Sequence, residues 1–212
     1  MSDELVFYTH PWSRGRVARW MLEEVGQPYR TEVLEYGTTM KAPAYLAINP
    51  MGKVPALTHG DAIVTENSAI CAYLADAFPE AGLAPPPGDK RRAPYYRWLF
   101  FAAGPLDAAT LNKALGFEPP AEKKGLVGYG SLEDVTDTLE GAIKSSPYFC
   151  GDQFTAADLY VGSYIAWTMG FGMLEKRPAF EEYVARLKSR PAAKRAVEID
   201  DALVEKLKKS KA

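Results

Sequence analysis

Apolar positions recur with two different periods along the chain, and the change falls near residue 80. Leu5-Val-Phe-Tyr8 is a short β-prone run, and His10-Pro-Trp-Ser13 reads as a turn into a helix over about residues 14–25. There Val17, Ala18, Met21, Leu22 and Val25 share one stripe, and Gly26 supplies the stop. A second strand is expected over Tyr29–Glu35. Strand, helix and strand in that order make a βαβ unit, whose parallel pairing needs the crossover helix.

Residues 36–41, with Gly37 and paired threonines, read as a mobile loop, and Ala42–Ile48 as a short helix ending at Asn49-Pro50. Pro55–Thr58 and Ala62–Val64 are short strand segments about a hairpin turn at His59-Gly-Asp61. A helix then runs from about Glu66 to Ala77, with Thr65 as its expected N-cap and Ala69, Ile70, Tyr73, Leu74 and Ala77 on its packed side. The sum is a small α/β domain over residues 1–79. Residues 80–90, with Pro85-Pro-Pro-Gly88, read as a stiff linker.

Residues 91–212 carry helical periodicity alone. One apolar face runs from Arg92 to about Leu115 and bends at Gly104-Pro105. A loop covers 117–124, and a second face passes through Leu126, Leu132, Val135, Leu139 and Ile143. Thr155-Ala-Ala-Asp158 has the spacing of a capping box, with Phe154 and Leu159 placed as its hydrophobic staple. The helix behind it, about 156–170, is apolar on several sides and is expected to be central. Helices at about 178–188 and 192–209 complete an all-helical domain.

Charge adds exclusions rather than a function. The net charge of −2 and an acidic first part, with 6 Lys/Arg against 10 Asp/Glu in residues 1–80, give no support for nucleic-acid or membrane-surface attraction. The two cysteines, Cys71 and Cys150, have no metal-ligand spacing and read as buried small hydrophobes. His10 reads as a turn residue and His59 as an exposed one; the two propose no metal site. No basic, apolar leader opens the chain, so a soluble cytoplasmic protein is expected.

Candidate chemistry gathers in two stretches, Asn49-Pro-Met-Gly-Lys-Val-Pro-Ala-Leu57 and Thr65-Glu-Asn-Ser-Ala-Ile70. Pro55 at the mouth of a strand removes a ladder donor and leaves the Val54 amide and carbonyl free to pair with something other than a strand. The helix start near Glu66 is positive and rich in free amides. An edge that pairs like a strand, beside a helix N-terminus, suits a small peptide carrying a free carboxylate.

Read together with Tyr8, Ser13-Arg-Gly-Arg16, Arg19-Trp-Met-Leu-Glu-Glu-Val-Gly26, the proline-rich linker and Gly151-Asp-Gln-Phe-Thr-Ala-Ala-Asp158, these stretches resemble the glutathione S-transferases, of a bacterial type. The resemblance covers nearly the whole chain. It implies a thioredoxin-like N-terminal domain that holds glutathione, a helical C-terminal domain lining much of an electrophile pocket, and a homodimer. By the same resemblance Pro55 is a cis proline, Val54 pairs with the cysteinyl part of glutathione, and Glu66 with Asn67 holds the γ-glutamyl end. Asn67 stands where the family pattern has serine; its amide still donates and caps a turn. Lys53 either meets the glycine carboxylate or faces solvent.

The expected activity is conjugation of the glutathione thiolate to small hydrophobic electrophiles, a detoxification chemistry. Peroxidase action in the same site and a non-catalytic glutathione-binding module are the alternatives. The thiolate is the nucleophile, so a hydroxyl donor near the start of the first helix is needed. Ser13 either supplies it or caps the amides at 15 or 16; Tyr8 either supplies it or packs in the core. Arg14 and Arg16 either steer anionic glutathione or make ordinary surface pairs. With no thiol near residues 10–13, a cysteine-based mechanism is disfavoured. Pocket walls are expected from Trp12, with Tyr36 or Met40 on the loop side, and from Phe101, Leu106, Leu111, Trp167 and Phe171, each of which also fits plain helix packing.

Overall fold

The computed structural model describes residues 3–210. They form two compact units: the described residues up to 81 together with those from 189 onward, and residues 82–188. In the first unit the order is β1 (Leu5–Thr9), α1 (Gly15–Val25), β2 (Tyr29–Val33), a short α2 (Pro43–Leu46), β3 (Ala56–His59), β4 (Ala62–Thr65) and α3 (Asn67–Ala77). The sheet order is β2-β1-β3-β4, with β1 parallel to β2 and antiparallel to β3, and β3 antiparallel to β4. This mixed four-stranded sheet with its helices is a thioredoxin-like domain. In the inner strand β1, Leu5, Val6 and Phe7 are all buried rather than alternating in and out, the pattern of a strand covered on both faces.

The second unit holds α4 (Arg92–Phe101), α5 (Asp107–Ala114), α6 (Leu132–Ser145), α7 (Ala156–Gly170) and α8 (Pro178–Lys188). The expected bend at Gly104-Pro105 is a π-helical segment, Ala102–Leu106, joining α4 to α5. Proline lacks the N–H that a regular turn uses, and a wider turn accommodates it. At α7 the capping box is formed: the Asp158 carboxylate accepts from Thr155 N–H (2.9 Å). It also accepts from Phe149 N–H (2.8 Å), the Tyr183 hydroxyl (2.7 Å) and the Thr155 hydroxyl (2.9 Å). Trp98 stacks on Phe149 with centroids 4.7 Å apart, and Phe149 meets Tyr183 edge-on.

The last helix, α9 (Pro191–Ser210), packs on α1 and belongs with the first unit, whereas sequence order had set it among the helices that precede it. A buried ion pair fixes it there, Arg19 Nε to Asp200 Oδ1 at 3.2 Å. The Arg19 guanidinium also lies over the Phe7 ring and donates to the Tyr29 hydroxyl and Thr31 Oγ1. Apolar periodicity cannot announce a buried arginine, so Arg19 was absent from the expected packed stripe of α1.

Other local expectations change for identifiable reasons. Thr65 ends β4, and Glu66 takes the N-cap position of α3 with φ 69°, ψ 125°. The buried face of α3 is Ile70, Cys71, Leu74 and Ala75, while Ala69 is exposed. His59 is partly buried at the end of β3, its Nδ1 2.9 Å from the Tyr73 hydroxyl. Regular helix begins at Leu132 rather than Leu126; Ser131 accepts from Asp134 N–H (3.0 Å) as its cap, and glycines at 125, 128 and 130 precede it. The proline-rich stretch is tied to its own unit: Ala156 N–H donates to Leu83 O (2.8 Å) and Arg92 Nε to Pro85 O (2.7 Å).

Candidate active site at the strand-to-helix turn

Residues 10–15 link β1 to α1, and the turn is closed by its own serine. Ser13 N–H and the Ser13 hydroxyl both donate to His10 O, at 2.9 and 2.6 Å, and Ser13 Oγ accepts from Gly15 N–H at 2.9 Å. The amide-capping role open to Ser13 from sequence is therefore present in the structure. Gly15 is required by space: a Cβ there would lie 2.2 Å from Thr9 Oγ1 and 2.9 Å from Ser13 Oγ. Arg16 holds the outer side, with Nε donating to Pro11 O (2.6 Å) and Nη2 meeting Asp201 (2.8 Å).

His10 is buried, 1% exposed, and its Nδ1 accepts from Trp12 N–H at 3.3 Å. It is an internal strut rather than a simple turn residue. Trp12 is 52% exposed and leans on the His10 ring. Tyr36, also exposed, covers the same ring at 4.5 Å. Burial pushes the Tyr36 phenol above its ordinary pKa.

The second stretch is braced by a polar loop. Lys53 O accepts from the Tyr45 hydroxyl (2.6 Å) and from Asn49 Nδ2 (2.8 Å), while Asn49 Oδ1 accepts from Met51 N–H (3.1 Å). Burial, opposed by a contact with Asn49, pushes the Tyr45 phenol up to about 12, so it remains a donor at neutral pH. Gly52 has φ 56°, and a Cβ on it would meet Met40 O at 2.7 Å. The Val54–Pro55 bond that follows is cis. Pairing of β3 begins at Ala56, so the Val54 N–H and C=O stand outside the ladder among the described residues. Lys53 is exposed.

The start of α3 is tied to the turn after β1. Asn67 Nδ2 donates to Arg14 O at 3.0 Å, across to the turn that carries Ser13. Glu66, one residue earlier, is exposed and held at positive φ, a conformation that costs a non-glycine residue on the order of 1–3 kcal/mol. Such strain persists where surrounding structure over-determines it, often at ligand clamps.

Tyr8 faces a different neighbourhood. It packs with Val54, Leu34 and Ile48 against Met40, Tyr45 and Ala56, its ring 5.6 Å from that of Tyr45. In the helical unit Phe101 is half-buried against Trp98, and Leu106 is fully buried in the segment that packs on α6 and α7. Leu111 is half-buried, and Trp167 lies between Tyr164 and the exposed Phe171. Full burial makes Leu106 a packing residue and not a pocket wall. A cavity of about 740 Å³ opens elsewhere in the first unit, at the Leu5 end of β1 among Gln27, Tyr29, Arg30, His59 and Phe78. Among the described residues no group of His, Cys, Asp or Glu is placed to hold a metal ion.

Comparison with known proteins gives this arrangement its context. Residues 7–82 match the model of the glutathione S-transferase N-terminal domain, and residues 125–186 that of the C-terminal domain. A glutathione S-transferase of Escherichia coli O157:H7 is 33% identical over 167 residues, covering 75% of this chain and 76% of that protein. The chain belongs to the glutathione S-transferase family. A glutathione transferase of Methylococcus capsulatus superposes with a TM-score of 0.77 at 29% identity, over 93% of this chain and 99% of the other. A sphingomonad glutathione S-transferase complexed with glutathione gives 0.74 at 26%, over 92% and 98%. Membership in this family of glutathione-dependent transferases accounts for one thioredoxin-like and one all-helical unit in a single chain.

Proposed function

We propose that the first unit binds reduced glutathione in an extended pose and holds its sulfur as a thiolate for attack on small hydrophobic electrophiles. Val54 pairs through N–H and C=O with the cysteinyl residue, Glu66 and Asn67 receive the γ-glutamyl end, and Lys53 is the cation for the glycine carboxylate. The observation that carries this reading is the Val54 backbone, outside the ladder at a cis proline and braced through Lys53 O. A relative of the same fold is complexed with glutathione, which supports the ligand.

Ser13 is the donor to the sulfur in this reading. Its hydroxyl proton turns from His10 O, which keeps the Ser13 N–H, so the carbonyl is not orphaned. Oγ keeps the Gly15 N–H throughout, and the N-terminus of the 11-residue α1 adds positive potential. The thiol proton leaves to water. The sulfur then bonds to the electrophilic carbon as the leaving group departs, or adds to an activated alkene whose neighbouring carbon takes a proton from water. Tyr8, packed among Met40, Tyr45 and Val54, supports the wall beneath the peptide rather than the sulfur.

Glutathione-dependent consumption of a panel of electrophiles and organic hydroperoxides by wild type, Ser13→Ala and Tyr8→Phe tests the assignment. Ser13→Ala is expected to lower turnover more than Tyr8→Phe, with electrophiles consumed faster than hydroperoxides. Unchanged rates in both variants would remove both residues from thiol activation.

A further inference from the structure

A single peptide group links the Ser13 hydroxyl to the neighbouring helix. The Arg14 carbonyl and the Gly15 N–H belong to one planar unit and point in opposite directions from it. At one end Gly15 N–H donates to Ser13 Oγ at 2.9 Å. At the other, Arg14 O accepts from Val17 N–H at 3.1 Å and from Asn67 Nδ2 at 3.0 Å. Val17 lies in α1, the helix that Arg14 caps, whereas Asn67 opens α3 and reaches in from a separate element.

The Asn67 side chain is committed to this contact. Its Oδ1 is buried and accepts no hydrogen bond among the described residues. Turning the amide over would set Oδ1 against Arg14 O, acceptor against acceptor, so the Arg14 carbonyl fixes the orientation even though it leaves a buried acceptor unpaired. On its other side the peptide is backed by the buried Thr9 side chain, so close that a Cβ on Gly15 would lie 2.2 Å from Thr9 Oγ1.

We propose that Asn67 is a positioning residue for thiol activation: its side-chain amide holds and polarises the Arg14–Gly15 peptide, whose N–H holds the Ser13 hydroxyl that turns toward the glutathione sulfur. A carbonyl that accepts a hydrogen bond makes the N–H of the same amide a stronger donor. A hydroxyl that accepts one becomes a stronger donor in turn, because chained hydrogen bonds polarise one another. The chain runs Asn67 Nδ2–H to Arg14 O, Gly15 N–H to Ser13 Oγ, and Ser13 O–H to the thiolate. No proton is transferred along it, since the thiol proton has gone to water. The backbone N–H of Asn67, in the first turn of α3, has no acceptor within its own helix and is left for the γ-glutamyl end. Reach matters, because a serine at this position would end short of Arg14 O by about 1.3 Å, one C–N bond. This role rests on Ser13 as the sulfur's donor.

The test is a pH titration of the thiolate ultraviolet band of enzyme-bound glutathione, at saturating ligand, in wild type, Asn67→Ala, Asn67→Ser, Ser13→Ala and the Asn67→Ala, Ser13→Ala pair. Affinity for S-methylglutathione, whose sulfur does not ionise, is measured alongside. Asn67→Ala is expected to raise the bound thiol pKa by about half a unit, about threefold in the ionisation constant, and Asn67→Ser to do the same. Ser13→Ala should raise it further, and the pair should equal Ser13→Ala, since without Oγ the peptide has nothing to act through. Any affinity for S-methylglutathione that Asn67→Ala loses should be lost to the same extent in the pair, so the two effects of Asn67 separate. A general loosening of the site would instead move the thiol pKa with or without Ser13. Unshifted Asn67 variants beside a shifted Ser13→Ala overturn the role of Asn67 alone. Shifts that add in the pair also overturn it, because α3 would then act on the sulfur independently of Ser13. An unshifted Ser13→Ala removes the assignment of Ser13 and the inference with it.

Discussion

Replacing Asp158 by alanine should uncouple the start of α7 from the rest of the helical unit. The carboxylate is fully buried and accepts from Phe149 N–H, Thr155 N–H and the Tyr183 hydroxyl at 2.7–2.9 Å, besides the Thr155 hydroxyl. The Thr155 hydroxyl has a second neighbour in Cys150 Sγ at 3.9 Å, so three donors lose an acceptor in the alanine variant. At about 1–2 kcal/mol for each buried donor, the loss is about 3–6 kcal/mol. Relief of the carboxylate's own burial, which raises its pKa, moves the result toward the lower half of that range. Asp158→Asn retains one acceptor oxygen and sets an amide N–H against a backbone N–H, for about 1–3 kcal/mol. The two compact units need not unfold together, so the readout is native-state hydrogen exchange at the α7 amides with thermal melts beside it. An alanine variant within about 1 kcal/mol of wild type, or an asparagine variant as damaged as alanine, would refute this reckoning.

Two further outcomes follow from buried groups. Cys150 is held up to about 11 and Cys71 higher still, both chiefly by burial, so neither should react with a thiol reagent at pH 8 until denaturant is added. An unfolded thiol ionises near pH ~8.5, so above that the unfolded chain binds fewer protons than the native one, and stability should fall as pH rises from ~8.5 toward 11. Asp200→Ala leaves Arg19 buried without its carboxylate and should cost about 3–5 kcal/mol, seen as a lower melting temperature with faster exchange in α9. The Arg19→Met, Asp200→Leu pair, which removes both charges, should recover most of that loss.

The hydrophobic pattern made the architecture legible because most elements here are decided by local period and punctuation. Gly26 after α1, Pro50 and Gly52 before β3, and Thr155 before α7 each mark a boundary that the structure keeps. Where pattern misled, a polar or backbone contact decided the outcome. Arg19 and Asp200 carry α9 to α1, yet neither has a periodic signature, and they lie at opposite ends of the chain. Thr65 is used up as the last residue of β4, where it pairs with Ala56, so the position before α3 falls to Glu66, through which the chain turns at positive φ.

In the site, the residue types were readable and their connections were not. Ser13, Val54-Pro55 and Glu66-Asn67 stand out by composition and order, and the cis bond at Pro55 accords with the family resemblance. The Asn67 to Arg14 O bond, the double brace on Lys53 O and the seat of Tyr36 over His10 depend on side chains from separate elements meeting. A lone tyrosine beside a glycine carries no signal of that in sequence. His10 was likewise legible only as part of a turn, since nothing in His-Pro-Trp-Ser distinguishes a buried strut from a surface residue.

The most direct test is a crystal structure of the protein with reduced glutathione bound. The cysteinyl backbone should lie antiparallel to Val54 with both of its hydrogen bonds made, the γ-glutamyl end should rest at Glu66 and Asn67, and the sulfur should sit within hydrogen-bonding distance of Ser13 Oγ. A tripeptide bound away from Val54, or a sulfur directed away from the turn at residues 10–15, would contradict the account.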